Sequence, residues 1–501
     1  MSPRPIRLGA LLAAGATLAA CTVGPDYRRP EPAEGSGYAA APLPTKTASA
    51  PVPGGAEQRF IYGRDIPAEW WQVYRSSALD RLIRAALTDS PTLEAAQAAL
   101  RVSQENLRAA TSVLYPSVDA KLGATRQRIS GAPQNQPNAR IPVFNLYNAS
   151  VNVSYQIDMA GGARRELELL EAQIDYQRYQ IAATYLTLTS NIVTTAVSEA
   201  SLRAQIRATQ DIIDAQQRSL DVVEKQLALG AISRAEVLAQ RAQLAQTRAA
   251  LPPLEKALAQ TRNALATLVG KTPASAQLPQ FELAGLELPR ELPVSLPSDL
   301  ARQRPDIQAA EALLHQASAQ VGVATAAEYP QLTLSASYGT VATATGDLFG
   351  ANSMIWNAGA GLLQPIFHGG ALKAQQRAAV AAYDRALAQY RQTVLGAFQN
   401  VADALGALEN DAQALTAQAE AEAAARASYE LARSQFELGA ASYLTLLNAE
   451  QQFQRSRIGL VQAQAARYAD TAALFQALGG GWWHDAAALA PNSDTAGSRN
   501  P

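Results

Sequence analysis

Two hydrophobic periods divide this 501-residue chain. The first is seven. Ile206, Ile213, Leu220 and Leu227 follow it, and so do Leu244, Leu251, Leu258 and Leu265. A sustained heptad predicts long helices packed as a coiled coil. The run from Ala163 to Leu229 spans about 67 residues, or ~100 Å at 1.5 Å per residue. No ordinary globular domain needs a helix of that length. The second period is two. Tyr147, Ala149, Val151, Val153, Tyr155 and Ile157 alternate with Asn148, Ser150, Asn152, Ser154, Gln156 and Asp158. Val118, Ala120, Leu122 and Ala124 alternate with Asp119, Lys121, Gly123 and Thr125, and Leu332, Leu334, Ala336 and Tyr338 with Thr333, Ser335, Ser337 and Gly339. These segments predict strands near 117–130, 145–158 and 331–343. A fourth, near 354–367, alternates poorly and its faces stay unassigned. Strands of ten or more residues, apolar on one face with tyrosine at the margins, suit a transmembrane β-barrel. One hairpin alone fits a soluble antiparallel sheet with one buried face better; two equivalent hairpins shift the reading toward the membrane.

The elements recur. Ser90-Pro91-Thr92-Leu93-Glu94-Ala95-Ala96 returns as Arg304-Pro305-Asp306-Ile307-Gln308-Ala309-Ala310, and Tyr115-Pro116 as Tyr329-Pro330. Leu227 to Ser233 returns as Phe436 to Ser442. Unlike motifs in one order at a nearly constant spacing make an internal repeat. Each copy reads as a helix starting at Pro91 or Pro305, two strands, a glycine pair (Gly161-Gly162, Gly369-Gly370), a very long helix, and a glycine turn at Gly230 or Gly439 before a return helix. Pro252-Pro253 should interrupt and kink the first return helix. Val461-Gln462 stand there in the second. The chain thus divides into a signal peptide (1–20), a lipidated N-terminal arm (21–75), repeat one (76–290), repeat two (291–481) and a disordered tail (482–501).

Composition narrows the class. The net charge of −1 gives no bulk field for nucleic acid. Mean hydropathy is −0.09, and no stretch of about 18 apolar residues follows the start, so no transmembrane helix is expected. The single cysteine, Cys21, leaves no disulfide to hold the fold. It ends Leu18-Ala19-Ala20-Cys21, after a basic start with Arg4 and Arg7 and an apolar stretch from Leu8. That is a secretory signal, too short to span a bilayer. It resembles a bacterial lipoprotein signal, which implies acylation at Cys21. Thr22 then implies the outer membrane. Backbone groups in lipid must all be paired, and four strands are too few to close a barrel. Several copies must therefore share one.

With these features the chain resembles outer-membrane factors of the TolC, OprM and NodT kind. The phrases that carry the resemblance are Cys21 to Pro30, Trp70-Trp71, Leu251-Pro252-Pro253-Leu254-Glu255, and Pro365-Ile366-Phe367-His368-Gly369-Gly370. The resemblance implies an α+β membrane protein: a homotrimer with a 12-stranded barrel, four strands from each protomer, a long periplasmic α-helical barrel and a mixed equatorial belt near Lys271 to Pro297 and in the terminal segments. It also implies a periplasmic iris lined by Leu444, Thr445 and Asn448. Aspartate is common in the family at the Asn448 position, and this chain carries no charge at 445 or 448. The other reading of Asn448 is a satisfied contact between packed helices. The tips, Gly230, Ala231 and Ser233 with Gly439, Ala440 and Ser442, would meet a periplasmic adaptor.

Catalytic signatures are missing. His315, His368 and His484 match no ligand spacing, and no nucleophile elbow, phosphate loop or dinucleotide fingerprint appears. No cofactor or metal is expected. The expected function is a passive outer-membrane duct, served by an adaptor and an inner-membrane pump of the resistance-nodulation-division kind and releasing drugs or other toxic small molecules. A duct for type I protein secretion is the alternative within the fold. A periplasmic coiled-coil adaptor or structural lipoprotein is the alternative outside it, and four alternating strands argue against that.

Overall fold

The computed structural model describes residues 22–31, 37–38, 45–128 and 142–484. Cys21, the signal peptide, the end of the first long strand at 129–130 and the tail beyond 484 lie outside them. In chain order the elements are β1 (Arg59–Tyr62), α1 (Ser77–Asp89), α2 (Pro91–Thr111), β2 (Ser117–Gln127), β3 (Phe144–Ile157), α3 (Gly162–Ala228) and α4 (Arg234–Leu268). The second half supplies β4 (Glu291–Val294), α5 (Pro297–Gln303), α6 (Pro305–Ala326), β5 (Gln331–Ala342), β6 (Met354–Leu363), α7 (Ala371–Glu437) and α8 (Tyr443–Ala477). The helices α3 and α7 are each 67 residues, and α4 and α8 each 35.

Two compact units divide the chain in space, and each draws on both halves of the sequence. One comprises 1–30, 100–176 and 310–390 and holds a four-stranded antiparallel sheet in the order β2-β3-β5-β6. Its register carries the apolar alternation across every pair: Val118 faces Val153, Val151 faces Tyr338, and Tyr338 faces Trp356. The register assigns the strand whose pattern was ambiguous. Met354, Trp356, Ala358, Ala360 and Leu362 continue the apolar face, and Gly359 and Gly361 on the other face blur the alternation. This strand stops at Leu363, short of the expected 367, because Pro365 has no N–H to continue a ladder.

In the same unit, the segment after residue 21 is strapped to α3 and α6. Arg165, 6% exposed at its side chain, donates to the Asp26 and Glu168 carboxylates at 2.7 Å each and to the Val23 carbonyl at 3.2 Å. Tyr27 stacks on His315 at 4.3 Å, and His315 Nε2 lies 2.9 Å from Glu168.

The other unit comprises 31–99, 177–309 and 391–501. Here β1 and β4 pair in parallel, joining the N-terminal arm to the stretch expected to form the belt. Trp70, Trp71, Tyr74 and Phe475 are buried in the same unit, with Trp70 stacked on Phe475. The fully buried Arg467 donates to Gln58 at 2.7 Å. Two sequence expectations need correction. First, α4 is not interrupted: it runs through Pro252 and Pro253. Each proline leaves one carbonyl of the preceding turn without its donor, but those carbonyls belong to exposed Arg248 and Ala249, where water can bond them. Second, the tail is ordered at its start. Residues Trp482–His484 form a 3-10 turn, the Trp482 indole donates to the Gln303 carbonyl at 2.7 Å, and His484 pairs with Asp65.

Candidate functional site

Two features of the chain call for a partner or a membrane. The first is the sheet. In a soluble protein one face of such a sheet would be covered. Here β6 is exposed along its whole length, and β2 almost so. Val118, Leu122, Tyr338, Trp356 and Leu362 are all exposed large apolar residues on one face. The outer strands β2 and β6 each leave an edge without a partner strand. The buried face expected of a soluble hairpin is therefore missing among the described residues.

The second feature is the pair of helical tips. At the end of α3, Gly230 takes φ +74°, and the Ala231 N–H donates back to the Gln226 carbonyl at 2.9 Å. At the end of α7, Gly439 takes φ +72°, and Ala440 donates to Gln435 at 2.8 Å. Both are Schellman caps, in which glycine accepts the left-handed backbone without a Cβ penalty. Ser233 then starts α4 with a capping box: its hydroxyl accepts from Glu236 N–H, and the Glu236 carboxylate accepts from Ser233 N–H at 2.7 Å. Ser442 starts α8 by accepting from Thr445 N–H at 3.2 Å, and the two hydroxyls are 2.9 Å apart. Thr445 therefore stands where the first tip has Glu236. Its hydroxyl meets a neutral partner, and this tip carries no capping carboxylate.

Leu444, Thr445 and Asn448 are all exposed. They are spaced for one face of a helix. Leu444 is 63% exposed, and Asn448 is exposed as well. The opposite face of α8 is packed. Tyr443 and Leu447 join Leu220, Val223, Val237 and Leu244 in one apolar cluster.

Inside that packing are polar residues that the sequence reading did not find. The Tyr443 hydroxyl donates to Gln240 Oε1, and Gln240 Nε2 donates to the Gln216 carbonyl at 3.2 Å. Glu450 is buried, which raises its carboxyl above the ordinary range, and it accepts from Gln454 at 3.3 Å. No local signal marks these residues. Gln240 stands four residues before Leu244, at an inward position of the α4 heptad where an apolar side chain is expected.

The helix starts after the strands differ between the two halves. Asp158 accepts from the N–H groups of Ala163 and Arg164 at 3.2 and 3.1 Å and so caps α3. His368 serves α7 through its backbone carbonyl, which accepts from Ala371 N–H at 3.0 Å.

Residues 82–271 and 296–480 match the family described as outer membrane efflux protein. The pyoverdine export outer membrane protein OpmQ of Pseudomonas aeruginosa is 33% identical over 426 residues, which is 84% of this chain and 89% of the relative. The toluene efflux pump outer membrane protein TtgC of Pseudomonas putida is 29% identical over 93% of this chain and 94% of its own. The solved outer-membrane channel OprN matches with a TM-score of 0.82 at 26% identity, over 92% of this chain and 100% of that one.

Proposed function

The chain belongs to the outer membrane efflux protein family, and we propose that it acts as a lipid-anchored homotrimeric exit duct for drugs or other small toxic molecules. Transport through the outer membrane, without catalysis, is the work of the family. Three copies would contribute four strands each to a closed 12-stranded barrel. The 67-residue helices would form the periplasmic conduit. A periplasmic adaptor would dock at the tips around Gly230 and Gly439, and an inner-membrane pump would supply the energy. Cys21 would carry the lipid. The relatives' names, which speak of pyoverdine export and toluene efflux, support small molecules as cargo.

The observation that carries this reading is the uncovered apolar face of the β2-β3-β5-β6 sheet with its two open edges. Each unpaired backbone group in lipid costs several kcal/mol, so edges there must be joined. The test is purification in detergent, followed by light scattering and planar-bilayer recording. A trimer that forms discrete conducting channels is expected. A monodisperse monomer with native strand content would overturn the shared barrel, and a trimer that never conducts would overturn the duct.

A further inference from the structure

The register inside one copy fixes how two copies must meet. Ser117, the first residue of β2, pairs with Ser154; Ser154 pairs with Ser335, and Ser335 with Gly359. Carried across the sheet, the level of Ser117 therefore reaches Gly359. Yet β3 runs past that level to Ile157, and β6 runs past it to Leu363. The foot of the sheet steps down along the ladder by the four residues from Gly359 to Leu363. A closed barrel needs such a step. Strands tilted by roughly 40° and spaced about 4.8 Å apart shift by about 16 Å over four strands, or roughly five residues. The sheet of one copy already holds nearly all of it. A level rim then puts Ser117 of the next copy beside Leu363.

The polarity and the faces agree with that pairing. The four strands alternate in direction, so β2 of a second copy runs antiparallel to β6. With Ser117 opposite Leu363, Val118 lies opposite Leu362, and both belong to the apolar face. A slip of one residue would put every apolar side chain of one strand on the wrong side.

Below the last ladder pair, two exposed apolar groups remain. Ile366 and Phe367 are 92% and 85% exposed after the end of β6. Val113, Leu114 and Tyr115 are exposed just before β2. They belong to opposite edges of one sheet, so a single copy cannot bring them together. Side chains this large and this exposed are the mark of an interaction site.

We propose that each seam of the trimer pairs Leu362 with Val118 of the next copy and ends in an apolar plug, Ile366 and Phe367 packed against Val113, Leu114 and Tyr115 of that copy. The plug would close the seam where Pro365 ends the ladder. This rests on the shared-barrel reading and adds its register and its foot.

Paired cysteines test it. Leu362→Cys with Val118→Cys reports the register, and Ile366→Cys with Leu114→Cys reports the plug. Both pairs should form covalent trimers on oxidation, and each single substitution should not. In Ile366→Ala/Phe367→Ala the trimer should fall apart in SDS at a temperature lower by 10 °C or more. Phe349→Ala, an equally exposed aromatic between the strands, should leave it unchanged. A trimer in which Val118→Cys links to Ala360→Cys instead would overturn the register. A trimer in which the Ile366–Leu114 pair does not link, and whose dissociation the alanine variants leave unchanged, would overturn the plug and assign those residues to lipid. Light scattering that finds a monomer of the unsubstituted protein would overturn the shared barrel itself.

Discussion

At the residue scale the tip of α8 would determine what crosses the proposed iris. Leu444, Thr445 and Asn448 share an exposed face and carry no charge. If three copies surround one axis, an acidic side chain introduced here meets two others. At ~6 Å each pair repels by about 3 kcal/mol at an effective dielectric near 20, and by less if water fills the mouth. Asn448→Asp and Thr445→Asp should therefore loosen the closed state and admit cations. Single-channel recording should show higher conductance or stronger cation selectivity for both, with the unsubstituted channel low. Identical traces for all three would remove these residues from the gate. Thr445→Asp has a second effect, because aspartate at that position could rebuild the capping box that Glu236 completes at the other tip. Asn448→Asp is the cleaner of the two.

A different residue sets a pH dependence. Burial, and after it the hydrogen bond and charge of the neighbouring Asp411, raise the Asp470 carboxyl to about 7 against the opposing pull of Arg467. A carboxyl raised in the folded state binds its proton more tightly there than in the unfolded chain. Its contribution is therefore complete below about pH 4 and lost as the pH rises toward 7. The melting temperature of the purified protein should fall between pH 5 and pH 8. Asp470→Asn should flatten that fall and raise the melting temperature at pH 8. An unchanged slope in the variant would assign the dependence to another group.

At the element scale the sequence gives the long helices and the four strands of the antiparallel sheet, three of them with their faces, because each follows one dominant period; α1, α5 and the short β1 and β4 are not among the expected elements. The heptad from Ile206 to Leu227 and its glycine stop at Gly230 locate the end of α3 within two residues. Packing decided what the periods left open. The Met354–Leu363 strand has glycines on one face, so its orientation comes from the pairing with Leu332 to Thr340 and not from its own residues. The buried Gln240 was hidden for the opposite reason: it stands where the heptad promises an apolar side chain. Pro252-Pro253 misled because the rule for proline inside a helix assumes that the lost bonds cannot be replaced. Here the affected turn is exposed. Proline in a helix interior costs about 3 kcal/mol against alanine. Pro252→Ala/Pro253→Ala should therefore stabilise α4, read as a higher urea midpoint with an unchanged slope. A lower midpoint would mean that the rigid pair serves a contact outside the single chain.

At the scale of the whole molecule, two devices would hold it in the membrane, and they are unequal. The closed barrel would bury the apolar faces of twelve strands. The lipid on Cys21 would add acyl chains, of which a single one gives only marginal, reversible binding. Thr22 and the residues after it have their own hold on the protein, through Arg165 and the carbonyls of Val23 and Gly24. The anchor would thus be joined to a strap that is already fixed, and losing the lipid should not release the strap. Cys21→Ser should abolish lipidation, which mass spectrometry of the mature N-terminus reads directly. The variant that reaches the outer membrane should still trimerise and conduct like the parent, and cells should keep part of their resistance. An unmodified Cys21 in the parent protein would remove the anchor from this account. Complete loss of assembled trimer in Cys21→Ser, with normal synthesis and export, would show that the lipid directs barrel insertion and is more than an added tether.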